Sequence, residues 1–187
     1  MVGVIHQLFF EFVEKNFGAP AVAEVKRRAG LAAGQEYRMD SAYSDDEWRK
    51  IVAAAVELAG LEAEAAEIAF ARFCGEALSQ RMAGFFKNAT NARDMLKQQP
   101  TIHNMIASSL VDATAKRKVT DKFRLEEANG ETITHYVSPN RHCALYRGLA
   151  EWVAGYYRER VEIREPRCQK RGDPECEIHV KYLGAAS

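Results

Sequence analysis

Apolar side chains recur at three- and four-residue intervals through the first two thirds of the chain and at two-residue intervals after it. This change of period predicts helices first and a sheet afterwards. Val4, Ile5, Leu8, Phe9, Phe12 and Val13 share one face of a helix that begins almost at residue 2, and Gly18-Ala19-Pro20 ends it. Ser44-Asp45-Asp46-Glu47 has the form of a capping box ahead of Ile51, Val52, Ala55, Val56 and Ala59, with Gly60 as the stop. A further helix carries Ile68, Ala69, Phe73, Ala77 and Leu78. After Gly84 a polar segment leads to Pro100, where a new helix turns Ile102, Met105, Ile106 and Leu110 inward, with His103 inside that apolar stripe.

The period shortens after the basic run Lys116-Arg117-Lys118, which reads as a solvated loop or helix end. Phe123 and Leu125, the tight Asn129-Gly130 turn, then Ile133, His135 and Val137 describe an antiparallel hairpin. A helix from about Pro139 to Tyr157 buries Leu145, Leu149, Trp152, Val153 and Tyr156. Val161 and Ile163 mark a strand, residues 170–174 turn, and Cys176, Ile178, Val180 and Tyr182 share a face of the last strand. The expected fold class is α+β, a single domain over residues 1–187 with an N-terminal helical lobe (1–62) packed on a lobe (63–187) that carries a small antiparallel sheet and helices.

With 187 residues, 47% hydrophobic and 28% charged, the chain can bury one sizeable core. Lys+Arg and Asp+Glu both count 26, so no net field draws it to nucleic acid or to an anionic membrane. No apolar run approaches a membrane span, and Glu11 and Glu14 interrupt any signal-like start, which together point to a cytoplasmic protein whose partners are small molecules or other proteins. Its four cysteines are then expected to be reduced and available for metal binding or burial.

Candidate chemistry gathers at Tyr136-Val137-Ser138-Pro139-Asn140-Arg141-His142-Cys143, where a strand ends and a helix begins. Two hydroxyls and a guanidinium there can meet a carboxylate or phosphate, and the plainer alternative is a helix cap with Ser138 at N-cap and Pro139 at the first helical position. His103, isolated on an apolar stripe, suits either a metal ligand or an ordinary core imidazole. Cys143, Cys168 and Cys176 bring a helix start and the two sides of the last turn toward one ion, and three thiolates make a strong start on a tetrahedral zinc site. The fourth ligand is open, with His142 and His179 near the cysteines; three buried or half-exposed thiols, or a redox pair, are the other readings. Cys74, among Phe70, Phe73 and Leu78, is a core residue.

The order of these features, a helix from Met1, an isolated His near 103, a Tyr-x-Ser segment about thirty residues on and a closing hairpin, resembles the haem nitric oxide/oxygen-binding (H-NOX) family over nearly the whole chain. The resemblance implies haem b held between the two lobes with His103 as proximal ligand. It implies propionate contacts from the Tyr-x-Ser-x-Arg pattern, here Tyr136 and Ser138, with Asn140 where the Arg falls and Arg141 one place later. Ile5, Phe9, Leu145 and Leu149 would line the distal pocket. Oxygen-binding members have a Tyr at the position of Leu145, so an all-apolar wall implies a preference for nitric oxide, with Tyr146 or His6 as the remaining candidate donors. A cysteine-rich zinc site with Glu165 where relatives carry a His would fit a bacterial stand-alone type.

The same resemblance implies a sensor and not an enzyme, passing its signal to a histidine kinase or a cyclic-di-GMP enzyme. The alternative is a zinc-stabilised, haem-free module for a small ligand or for thiol redox sensing, since Cys168-x7-Cys176 with Gly172-Asp173-Pro174 also resembles small-ligand-binding domains of the vinyl-reductase type. No Ser/His/acid set, phosphate loop or spaced carboxylate pair points to catalysis.

Overall fold

Gly3 opens the first helix where no side chain fits, because a Cβ there would overlap the Arg38 carbonyl oxygen. Its N–H donates to Ser41 O at 2.9 Å, and Val2 bridges to Ala42, so the chain start is stitched to a later loop. The structure is a computed structural model that describes residues 1–186. Helix α1 runs Gly3–Phe17 and α2 Ala19–Arg28. The Gly18-Ala19-Pro20 break thus starts a helix as well as ending one, since Gly18 takes φ 82° and Pro20 sits in the first turn of α2. Helix α3, Asp45–Ala59, is capped by Ser44 Oγ, which accepts from the N–H groups of Asp46 and Glu47. Glu47 does not complete a reciprocal box; its carboxylate accepts from the Tyr37 hydroxyl instead.

Helix α4, Ala63–Arg81, closes a core of Leu8, Phe9, Val13, Val25, Trp48, Ile51 and Phe70. The polar segment after Gly84 holds two short helices, α5 (Ala83–Asn88) and α6 (Ala92–Lys97), the second capped by Asn91. Helix α7 is Gln99–Ser108 and α8 Ala113–Thr120, so the basic run lies in a helix, with Arg117 and Lys118 exposed as expected. Met105 and Tyr156 face outward, contrary to their apolar-stripe assignment. In α7 the core side is held by Ile102, Ile106 and Ala107.

Strands β1 (Phe123–Ala128) and β2 (Glu131–Tyr136) form the expected hairpin, with Asn129 and Gly130 both at positive φ. After helix α9 (Cys143–Tyr156) come β3 (Glu159–Arg167) and β4 (Cys176–Ala185), giving an antiparallel sheet in the order β1-β2-β4-β3. The α+β class is therefore as expected. Ser138 is not the N-cap of α9. Its Oγ accepts from Asn140 N at 3.3 Å, Arg141 adopts φ 52°, and the helix starts only at Cys143. No helix among the described residues is long and apolar enough to cross a membrane.

Candidate functional site

His103 lies in the second turn of α7, and its Nδ1 is 2.8 Å from the Gln99 carbonyl oxygen one turn earlier. That oxygen can only accept, so Nδ1 carries the proton and Nε2 keeps a free lone pair. Burial pushes the imidazole pKa down to about 4, which keeps the ring neutral. Its neighbour is Phe123, with ring centroids 4.7 Å apart, and Phe123 in turn stacks on Tyr136 at 4.9 Å. Gln99 Oε1 is buried close by in sequence without a hydrogen-bond partner.

The segment after β2 is enclosed by tertiary contacts. Tyr136, Ser138 and Asn140 are buried, and Arg141 is exposed. His142 N donates to the Tyr136 hydroxyl at 3.2 Å. Asn140 Nδ2 donates to Asp45 Oδ1 at 2.8 Å, and its Oδ1 has no partner. The same Asp45 oxygen accepts from the Met1 amino group at 2.8 Å. Burial raises the Asp45 pKa, but these hydrogen bonds outweigh it and hold the carboxylate below its ordinary range.

Of the four apolar wall residues, Ile5 packs against both the N-terminal core and the Val2, Ala107, Leu110 and Val119 cluster. Phe9 and Leu145 border a cavity of about 40 Å³, shared with Trp48, Phe70 and His142, and Leu149 is half-buried one turn along α9. That volume exceeds the ~15 Å³ a single water needs, so a diatomic molecule has room. Several polar groups at this wall are engaged, while His6 Nε2 and His142 Nδ1 have no hydrogen-bond partner. Trp48 Nε1 donates to His142 Nε2 at 2.6 Å, the Tyr146 hydroxyl is 2.6 Å from Thr134 Oγ1, and His6 Nδ1 is 3.2 Å from Val2 O.

Cys143, Glu165, Cys168 and Cys176 come together, with one ligand atom from each lying within 4.8 Å of the others. Sγ of Cys168 is 3.5 Å from that of Cys143 and 4.0 Å from that of Cys176. Burial raises the thiol pKa of Cys143, and burial with the Cys168 sulfur beside it brings Cys176 to about 11, so an ion is needed to favour thiolates here. Glu165 Oε1 is buried with no hydrogen-bond partner. His142 turns away to Trp48 and Glu67, and His179 to Glu131 and Glu177 on another part of the sheet. Cys74 packs in the N-terminal core.

Two features escape the sequence patterns. The chain Trp48, His142, Glu67, Lys170 links α3 through α4 and the start of α9 to the cysteine turn, with Lys170 Nζ 2.9 Å from Glu67 Oε1. Asp45 Oδ1 gathers Asn140 Nδ2 and the Met1 amino group, each at 2.8 Å. Neither carries a local signal, because each depends on residues far apart in the chain.

A family profile described as haem-NO-binding matches residues 2–165. Among solved structures, an H-NOX protein from S. oneidensis in the Fe(II)NO ligation state superposes with a TM-score of 0.82 at 16% identity, covering 98% of this chain and 100% of the other. An oxygen-binding H-NOX domain related to soluble guanylate cyclases, solved as its oxygen complex, gives 0.78 at 18% identity, covering 100% and 97%. No curated protein matches the sequence.

Proposed function

The chain belongs to the haem-NO-binding family of gas-sensing haem domains, and from that premise we propose that it is a nitric oxide sensor. It would hold haem b through His103 and relay ligand binding to a separate signalling protein, a histidine kinase or a cyclic-di-GMP enzyme. The observation that carries this reading is the neutral His103 ring, whose Nδ1–H is fixed on Gln99 while Nε2 stays free to ligate. The surroundings suit the group: buried hydroxyls on Tyr136 and Ser138 can donate to a carboxylate. When bound, ferrous haem would supply an iron that takes nitric oxide strongly without a hydrogen-bond donor.

The chain's residues would then divide the work. The Tyr136 and Ser138 hydroxyls would orient carboxylates, Asn140 would not because its amide donates to Asp45, and Ile5, Phe9, Leu145 and Leu149 would offer a wall with no proton for bound dioxygen. Release of His103 would be felt by the elements that α7 packs on, α8 and β1, the latter through Phe123. A zinc ion on Cys143, Cys168, Cys176 and Glu165 belongs to the same proposal, supported by the convergence of these ligands and by the unpartnered Glu165 oxygen. We assign the chain no catalytic step.

The purified protein is expected to show a Soret band that shifts on anaerobic addition of nitric oxide, with no stable oxygen complex in air. His103→Gly would remove the imidazole that holds the iron and is expected to change the ferrous spectrum. An unchanged spectrum in that variant rejects the assignment.

A further inference from the structure

Arg147 lies one turn after Cys143 on α9, so the helix that offers the first thiol of the cysteine cluster also carries a guanidinium toward it. Its Nε is 3.7 Å from Glu165 Oε2, and the Glu165 side chain is only 7% exposed. That separation is too long for a hydrogen bond. Both groups have capacity left, because Arg147 Nε and Glu165 Oε1 are buried and without a hydrogen-bond partner. Other parts of the cluster are already supported: Gln169 N donates to Cys176 Sγ at 3.3 Å, and Arg171 donates to the Glu165 backbone oxygen at 2.7 Å. The Glu165 carboxylate is what remains to be held. A buried carboxylate is costly unless a cation meets it.

Glu165 also changes the charge of the site. With Cys143, Cys168 and Cys176 as thiolates, it brings a fourth negative charge to a doubly charged ion, where a neutral imidazole would bring none. A ligating carboxylate has a second oxygen free to meet an outer cation, which fixes its orientation and offsets its charge. Arg147 is the cation placed to do so. Lys170, two residues beyond Cys168, is spent on Glu67 at 2.9 Å, and Arg171 on the Glu165 backbone. We propose that Arg147 is a positioning residue of the cysteine site, holding one Glu165 oxygen so that the other can ligate zinc and balancing the charge that a carboxylate adds. The proposal rests on the zinc reading and adds to it the residue that makes a glutamate usable as the fourth ligand.

The test is competition for zinc between the full chain as purified, with its thiols reduced, and a fluorescent chelator. Arg147→Met is expected to weaken zinc binding roughly 10- to 100-fold, the range of an outer-shell partner. Arg147→Lys, which keeps the charge, should recover most of that loss. Two further variants separate positioning from a merely structural role. Glu64→Gln removes the other carboxylate that Arg147 holds, on α4, and should leave zinc binding at the wild-type level. In a Glu165→His background, where the fourth ligand is neutral, adding Arg147→Met should change zinc affinity by less than about twofold, because the coupled partner is gone. Zinc binding that is undiminished by Arg147→Met, weakened as much by Glu64→Gln, or weakened equally in the Glu165→His background overturns the assignment of Arg147 and leaves the zinc site standing. Wild-type protein that retains no zinc overturns both.

Discussion

His6 shows how far one residue's environment can depart from its place in the sequence. It sits beside the apolar stripe of α1, yet its ring is fully buried, stacked on Tyr37 at 4.2 Å with edges of Tyr43 and Trp48 around it. Burial lowers its pKa to about 4, with the Met1 amino group lowering it further and the Val2 carbonyl and Asp45 opposing, and Nε2 has no hydrogen-bond partner. A folded-state value below the unfolded 6.5 means its contribution to stability is complete above pH 6.5 and is lost as pH falls toward 4. His6→Phe keeps the stacking and removes the titration. In urea unfolding, wild type is therefore expected to lose about 2 kcal/mol more than the variant between pH 7 and pH 5, other histidines cancelling in the comparison. Equal losses would show that His6 does not resist protonation in the fold. His103 and the cysteines are legible as residues because an isolated imidazole on an apolar stripe and a Cys-x7-Cys turn are local patterns. Asp45 and Glu67 are not, since a charge becomes part of a site only when residues remote in the chain gather around it.

At the scale of elements, the contact between α4 and α9 is set by two glycines that carry no sequence signal of their own. The ring of Trp152 lies where a side chain on Gly75 would be, and a Cβ on Gly148 would come within 2.9 Å of Ala71 Cβ and 3.2 Å of Ile68 Cα. The obstacle at Gly148 includes backbone, so it cannot swing aside. Gly148→Val is expected to cost about 1–3 kcal/mol, read as a fall in melting temperature of roughly 2–12 °C for a chain of this size. Because Leu145 and Leu149 flank Gly148 on α9, the same variant should alter nitric oxide association. Gly155, with open space around it, is the control: Gly155→Ala should leave the melting temperature unchanged or raise it. The long amphipathic helices and the Asn129-Gly130 hairpin are readable because period and turn chemistry agree. Helices α2, α5, α6 and α8 are not, being six to ten residues long and lacking a continuous apolar stripe. The start of α9 lies beyond its expected place because Ser138 serves a local turn rather than the helix.

Across the whole molecule, the cysteine cluster and the apolar wall are the two ends of one mechanical unit. Cys143 is the first residue of α9, Leu145 and Leu149 follow within two turns, and Cys168 and Cys176 bracket the turn from β3 to β4. That turn also carries Lys170, whose bond to Glu67 continues through His142 to Trp48 beside the cavity that Leu145 borders. An ion on the cysteines would thus fix the beginning of the helix that forms the wall. Metal analysis of the purified protein is expected to find one zinc per chain, with Cys176→Ala abolishing it and Cys74→Ala leaving it intact. Structural zinc couples directly to folding. A loss of roughly 3 kcal/mol on its removal would lower the melting temperature by about 6–12 °C, and the freed start of α9 should also change the rate at which nitric oxide leaves. If Cys176→Ala lost its zinc yet released nitric oxide at the wild-type rate, the ion would stabilise the sheet alone and α9 would not couple the two sites.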